Sequence, residues 1–356
     1  MNLWYRTVRL MVTWVLKAYF RDIIVQGEEN VPATGAVMFT VNHQNAFLDA
    51  LLIATTNKRF THFLVRADVF KSAVARKFFS SLNMMPVYRW RDGRHGLFNN
   101  QEIFRKCSDI LTNRHALMVF PEANHHQQRR LLPLSKGFTR ITSGVYDVVI
   151  VPVGLNYSHH RLLGGSVTVC YGKPISPPSN SDERRYAATL VEHVSGSMRR
   201  LITHIEPSPS YQTLEDQLNQ DPWQYLDPYQ CNKWISTHHQ DQFEVTPAPA
   251  YPGPGRRLAL GVSFLLNFLP LGLCRMMLQK IGDPVFSSSI KVIVALVLFP
   301  WYYILLGSLA IYFFGLTAGI AVLFLAVVSM LWRKWTLRWI TIKSERKYSD
   351  TSPIKS

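Results

Sequence analysis

The stretch VNHQNAFLDALLI, Val41 to Ile53, places a histidine and an aspartate six positions apart, just after the apolar run AVMFTV. Six helical positions amount to about 600°, so on one regular helix His43 and Asp49 would point to different sides. They converge only if His43 sits on a loop past a strand and Asp49 on the first turn of the helix that follows. An aspartate that holds one imidazole nitrogen fixes the tautomer and stabilises the imidazolium, which leaves the other nitrogen to take a proton from a hydroxyl. Such a base is typically worth about a hundred- to ten-thousand-fold in rate. Taken alone, the pair is also compatible with capping or solvated residues at a helix start.

Three other stretches add groups of complementary type. In MMPVYRWRDG, Arg89 and Arg91 follow a short extended segment, and guanidinium forks bind phosphate bidentately where lysine offers only a point charge. A solvated basic loop is the plain alternative. In VFPEANHH a strand ends at Phe120, and Pro121-Glu122 brings a carboxylate to the same end of a sheet as His43, although a strand-terminating turn would look similar. In VVIVPVGLN, Pro152 inside an apolar strand implies an edge position, a bulge or the wall of a pocket. Neither a G-x-S-x-G elbow nor a P-loop occurs, which argues against a serine hydrolase and a nucleotide-driven kinase. His125 and His126 are adjacent and lack an evident third ligand, so no metal site is expected.

These residues need a scaffold to bring them together. Residues 36–41, 117–120, 148–155 and 166–171 read as strands, while 49–54, 73–82, 98–114 and 182–205 read as helices. This alternation over residues 22–205 predicts an α/β fold, a largely buried sheet flanked by helices. Residues 206–254, acidic at first and ending PAPAYPGPG, read as a linker. The four cysteines are scattered without metal-ligand spacing and read as free thiols on a cytosolic face.

Charge is unevenly spread: Lys and Arg number 26 against 13 Asp and Glu in residues 1–200, 1 against 7 in 201–250, and 12 against 3 in 251–356. The two basic blocks suit lipid headgroups or phosphorylated substrates; nucleic acid is not expected, since no motif for it accompanies them. From Val292 to Trp332 no side chain is charged over 41 residues, about twice what one bilayer crossing needs. A break at Phe314–Gly319 therefore predicts a transmembrane hairpin with spans near 292–313 and 317–332. Lys291 before the first span and the basic tail 336–356 place the catalytic domain and both termini on the cytoplasmic side by the positive-inside bias. Leu258–Cys274 is apolar with basic residues at both ends and reads as an interfacial or re-entrant segment. Residues 1–21 alternate apolar and basic side chains with Trp4, Tyr5 and Trp14, which suits a helix in the headgroup layer as well as one packed on a domain. The nearby membrane segments favour the headgroup layer.

The order NH…D, PVxR, FPE and an apolar strand containing VPV, over residues 20–205, resembles the glycerolipid acyltransferases, the glycerol-3-phosphate and lysophosphatidate O-acyltransferases. The resemblance implies a glycerolipid acyltransferase-like mixed sheet flanked by helices. It makes His43 the base, Asp49 its partner and Arg89 a phosphate ligand, and it places Glu122 on the third motif, where it is expected among the substrate-binding residues, gripping the acceptor hydroxyl or ordering the arginines. It also assigns Pro152, with Phe120 and Pro121 beside it, to shaping the acyl site. Five residues rather than four separate His43 from Asp49, Ala123 replaces the usual glycine, and no arginine follows Glu122 at the customary spacing. The five-residue gap, with PVYRWRD and EANHHQQRRLLPLSKG, is most similar to the fungal-type glycerol-3-phosphate and dihydroxyacetone-phosphate branch. Arg91 and Lys136 join the expected substrate-binding set, with His125, His126, Arg129 and Arg130 as other replacements for the lost charge. The resemblance implies acyl-CoA or acyl carrier protein as co-substrate, a glycerol-phosphate acceptor, membrane lipids as partners and no further cofactor. A transacylase that remodels lysophospholipids and a non-catalytic, membrane-anchored lipid-binding protein are the rival readings.

Overall fold

The computed structural model describes residues 3–88, 94–179, 182–237 and 254–337. Arg89, Arg91 and the basic tail 338–356 lie outside the described residues.

A helix α1 (Leu3–Tyr19) leads into β1 (Ile23–Gln26), β2 (Val37–Val41), α2 (Phe47–Thr56), β3 (Thr61–Arg66), α3 (Ala73–Ser81) and β4 (Met84–Val87). Then follow α4 (Arg94–Thr112), β5 (Ala116–Val119), α5 (Gly137–Thr142), β6 (Val149–Tyr157), β7 (Val167–Tyr171) and α6 (Glu183–Leu201). The seven strands form one mixed sheet in the order β1-β7-β6-β2-β5-β3-β4. Only β6 and β7 run antiparallel; the other neighbouring pairs are parallel. Every residue of β2 and β5 is buried, as parallel strands covered on both faces require, and this explains their unbroken apolar runs.

One face of the sheet is covered by α1, α2 and the first turns of a later helix, the other by α4, α5 and α6. Leu48, Leu52 and Ile53 of α2 are fully buried, each contributing about 1.5–3 kcal/mol relative to exposure. Strands β1 and β3 were not expected from the pattern. The first is four residues long and largely exposed, and the second carries His62 and Arg66 among its apolar positions. The sheet also explains Pro152. The β6–β7 ladder ends at Val153↔Tyr171 and resumes only at the bridge Ile150↔Ile175, so the missing N–H of Pro152 falls in a gap. Of the three readings of that proline, the edge position is excluded, since β6 is a central strand and Pro152 lies at a break in its ladder with β7.

α1 packs on the domain along one side and leaves apolar side chains exposed on another. Tyr5, Val12, Leu16 and Tyr19 are buried in the domain core, while Leu3, Trp4, Leu10, Met11 and Trp14 stand exposed on the other side. Residues 206–237 are not a linker. They form α7 (Tyr211–Leu218) and α8 (Pro228–Thr237), which bury Leu214, Leu218, Tyr225, Cys231 and Ile235 together with Ile205. These apolar residues are widely spaced among acidic and amide side chains, which hid the helical stripe. Residues 238–253 of the expected linker lie outside the described residues.

The apolar end begins with α9 (Pro254–Leu266) and α10 (Phe268–Gln279), bent by 95° at Asn267. The bend fits an interrupted span or a re-entrant loop across the expected segment 258–274. Two helices long and apolar enough to cross a membrane follow, α11 (Ser287–Phe314) and α12 (Leu316–Leu337). Gly315 alone separates them, at φ +85°, a conformation glycine adopts without a Cβ penalty. Asn267 is buried at the bend and donates to Ser263 O, Ala326 O and Ser329 Oγ while accepting from Tyr303. One polar side chain thereby ties the bend to both long helices.

Candidate active site

β2 and β5 lie side by side and parallel, so the loops that leave their carboxyl ends emerge together. The chain after β2 crosses β5 to reach β3, with α2 on one face. The chain after β5 crosses β2 to reach β6, with α5 on the other. Such a reversal opens a crevice at the carboxyl ends of the strands, where α/β sheets bind ligands.

His43 stands on the loop after β2 and Asp49 in the first turn of α2, as the spacing required. His43 Nδ1 lies 2.9 Å from Asp49 Oδ2, and the same oxygen accepts the N–H groups of Gln44 and Asn45, each at 2.8 Å. Asp49 is fully buried, and its Oδ1 accepts a 2.5 Å hydrogen bond from the Tyr157 hydroxyl. Burial, then the Asp49 charge, pushes the Tyr157 hydroxyl well above the ordinary tyrosine range, so it remains a donor. Because a carboxylate only accepts, His43 Nδ1 carries the hydrogen and Nε2 is the open, basic nitrogen.

Two further contacts fix the ring. It stacks on Phe120, with centroids 3.8 Å apart and planes 14° from parallel. Its side chain keeps 15% exposure, whereas that of Asp49 has none. The residue before it, Asn42, continues the sheet with its side chain: Oδ1 accepts Leu155 N at 2.7 Å and Nδ2 donates to Leu155 O at 3.1 Å. The turn between His43 and the helix is strained at Ala46, whose φ of 47° and ψ of −126° favour glycine.

Glu122 arrives from the end of β5. Its Oε2 accepts His43 N at 3.3 Å and faces His126 Nε2 at 3.1 Å, while Oε1 accepts Leu132 N at 3.4 Å. The His43 carbonyl in turn accepts His126 N, so the two loops are stitched at both backbone and side chain. Glu122 thus organises the loop that carries the base. Ala123 adopts φ +60° in the position where glycine is the easier residue.

Phe120 stacks on His43, and Pro121 after it is buried. Lys136 is exposed just before α5, one residue beyond Ser135, whose N–H donates to Pro121 O at 2.7 Å, so its backbone lies beside the third motif. Pro152 is not part of this cluster. It faces Gly172 and Leu201 of α6, on the side of the sheet opposite Tyr157. Nor is Arg129 a free cation: it is buried, donates to Tyr157 O and Ser158 O, and lies 3.6 Å over the Tyr225 ring. His125 pairs with Asp283 at 3.0 Å. No group of three or more potential metal ligands occurs among the described residues. Asn42, Tyr157 and Asp283 were not singled out in the sequence; the last two are 108 and 158 positions from their partners, beyond any local pattern.

A histidine–carboxylate pair beside a glutamate, at the carboxyl ends of adjacent parallel strands, is an arrangement able to take a proton from a hydroxyl. The Acyltransferase family model matches residues 22–156 of this chain. The chain is 28% identical over 126 residues to glycerol-3-phosphate O-acyltransferase 2 of Saccharomyces cerevisiae, covering 33% of this chain and 17% of that protein. It is 24% identical over 164 residues to a chloroplastic 1-acyl-sn-glycerol-3-phosphate acyltransferase of Arabidopsis thaliana, covering 44% of each. The chain therefore spans less than half the length of either relative. The crystal structure of the Thermotoga maritima 1-acyl-sn-glycerophosphate acyltransferase aligns at a TM-score of 0.43 and 21% identity, over 54% of this chain and 76% of that one.

Proposed function

We propose that this chain is a membrane-bound O-acyltransferase. It moves a fatty acyl group from an acyl thioester, carried by coenzyme A or acyl carrier protein, to a hydroxyl of glycerol 3-phosphate or 1-acylglycerol 3-phosphate. The observation that carries the reading is the pairing of His43 with the buried, multiply bonded Asp49 within the residues that the Acyltransferase family model matches. His43 Nε2 takes the hydroxyl proton as the acceptor oxygen attacks the thioester carbonyl. The tetrahedral adduct then collapses, the C–S bond breaks, and the imidazolium returns its proton to the departing thiolate. Asp49 offsets the transient positive charge, a role that needs a fixed carboxylate. No serine or cysteine nucleophile takes part.

Arg89, Arg91 and Lys136 are the cations we assign to the acceptor phosphate, and Phe120 and Pro121 form a wall for the acyl end beside His43. The α11–α12 hairpin holds the site at the layer where long acyl chains reside, with the catalytic domain and both termini on the cytoplasmic side, consistent with Lys291 before the first span and Arg333 after the second.

The test is product formation by the full chain in nanodiscs, using labelled palmitoyl-CoA with each acceptor separately, and a matched reaction in which phospholipid is the sole acyl source. Thioester-dependent acylation of one or both acceptors supports the reading. Product formed equally without thioester would replace it with a transacylase, and no product from any donor would favour a non-catalytic lipid-binding protein.

A further inference from the structure

The short turn before the first long helix reaches back to the reaction centre. Asp283 Oδ2 sits 3.0 Å from His125 Nε2, across 158 positions of sequence. The His125 ring stands nearly perpendicular to that of His43, centroids 5.6 Å apart and planes at 84°. Its other side meets Phe286 edge-on at 5.1 Å, so residues of this turn contact His125 at two points. Asp283 is itself fixed, because its Oδ1 accepts Val285 N at 3.0 Å. Partial burial pushes its carboxyl up, but the bonds from His125 and Val285 N–H outweigh this and hold it below the usual carboxylate range.

The same segment is pinned at three more places around the base. Leu48 N donates to Ser289 Oγ at 3.3 Å, and Ser289 Oγ donates to Asn45 O at 3.4 Å, both on the loop and helix start that carry Asp49. Ser288 Oγ donates to His160 O and accepts from the Tyr19 hydroxyl, and Lys291 Nζ donates to Arg161 O. Ser288 and Ser289 are buried. An element serving only as an anchor would need none of these bonds to the His43 loop.

We propose that Asp283 is a positioning residue for the acyl transfer: by holding His125 edge-on against His43, it makes the turn leading into α11 a structural part of the reaction centre. The inference rests on the acyltransferase reading given above. The base then has one wall from Phe120 in the sheet domain and another whose placement depends on the membrane segment. Withdrawal of the hairpin from the domain would free that second wall and slow the chemistry without removing any group that touches substrate.

The test is a double-variant cycle in the full chain in nanodiscs. Asp283→Ala is expected to lower kcat about fivefold or more with KM for acyl-CoA unchanged, since small misplacements of an aligned base are costly. Asp283→Glu, which can still reach from a half-exposed site, should restore most of that loss. Asp283→Ala added to His125→Ala should cost nothing further, because the aspartate acts through the histidine. Deuterium exchange provides an independent reading, with uptake across residues 121–128 rising in Asp283→Ala and returning in Asp283→Glu. Additive losses in kcat, or unchanged uptake over 121–128, would overturn the inference while leaving the acyltransferase reading intact. A parent chain without turnover would overturn the link to catalysis together with that reading, and the uptake would still decide whether the clasp exists.

Discussion

Tyr157→Phe isolates one hydroxyl at the centre of the site. The phenyl ring remains to pack against Phe20 and to complete β6, so the variant removes little but the bond to Asp49 Oδ1. Asp49 is wholly buried and, among the described residues, holds three donors on Oδ2 and this one on Oδ1. Loss of a hydrogen bond to a buried charge costs about 2 kcal/mol, and no solvent reaches Oδ1 to replace it. For a folded unit of this size that is a fall of about 4–8 °C in Tm. The carboxylate, held on one oxygen only, also aligns His43 less well, and we expect kcat to fall about tenfold, or roughly 1.4 kcal/mol, at unchanged KM. Thermal unfolding in detergent and steady-state acylation measure the two effects on one preparation. A variant with parental Tm and parental kcat would refute the argument that Tyr157 holds the carboxylate.

Ala123→Gly should stabilise the chain: alanine at φ +60° costs about 1–2 kcal/mol, glycine returns part of that as unfolded-chain entropy, and a net gain of about 0.5–1 kcal/mol should appear as a higher unfolding midpoint. Acid should weaken the fold through its buried imidazoles. Burial, chiefly, pushes His160 well below its ordinary value, with Arg129 and Arg161 adding to the effect, and burial also lowers His62 and His204. The unfolded chain then binds protons that the native state refuses, so stability is full above pH 6.5 and falls as pH drops below it. His160→Gln should flatten that fall between pH 7.5 and 5.5 in denaturant titrations. An unchanged slope would rule out His160 as a contributor.

Much of the centre was legible because it is local. The six-residue spacing of His43 and Asp49 demanded a loop-to-helix junction, and the structure has that junction with the two groups in hydrogen-bond contact. Glu122 was legible because a strand ending in Phe-Pro-Glu puts the carboxylate at the sheet's carboxyl edge, beside the loop from β2. The long uncharged run announced the hairpin, whose break was placed within the stretch that contains Gly315. What escaped depends on long-range pairing. Tyr157 meets Asp49 only because β6 lies next to β2, an adjacency that no stretch of sequence declares. Pro152 was expected near the acyl site, yet strand parity turns it to the α6 face. Residues 206–237 were read as linker on composition, where a few well-spaced apolar side chains suffice to fold two helices against the domain.

The central claim is that His43 Nε2 removes the acceptor proton, and His43→Gln tests it most directly, since the amide can keep a bond to Asp49 but has no basic nitrogen. Initial rates with saturating palmitoyl-CoA and the better acceptor should fall about a hundred- to ten-thousand-fold, with Tm close to that of the parent. Turnover within a few-fold of the parent would contradict the account.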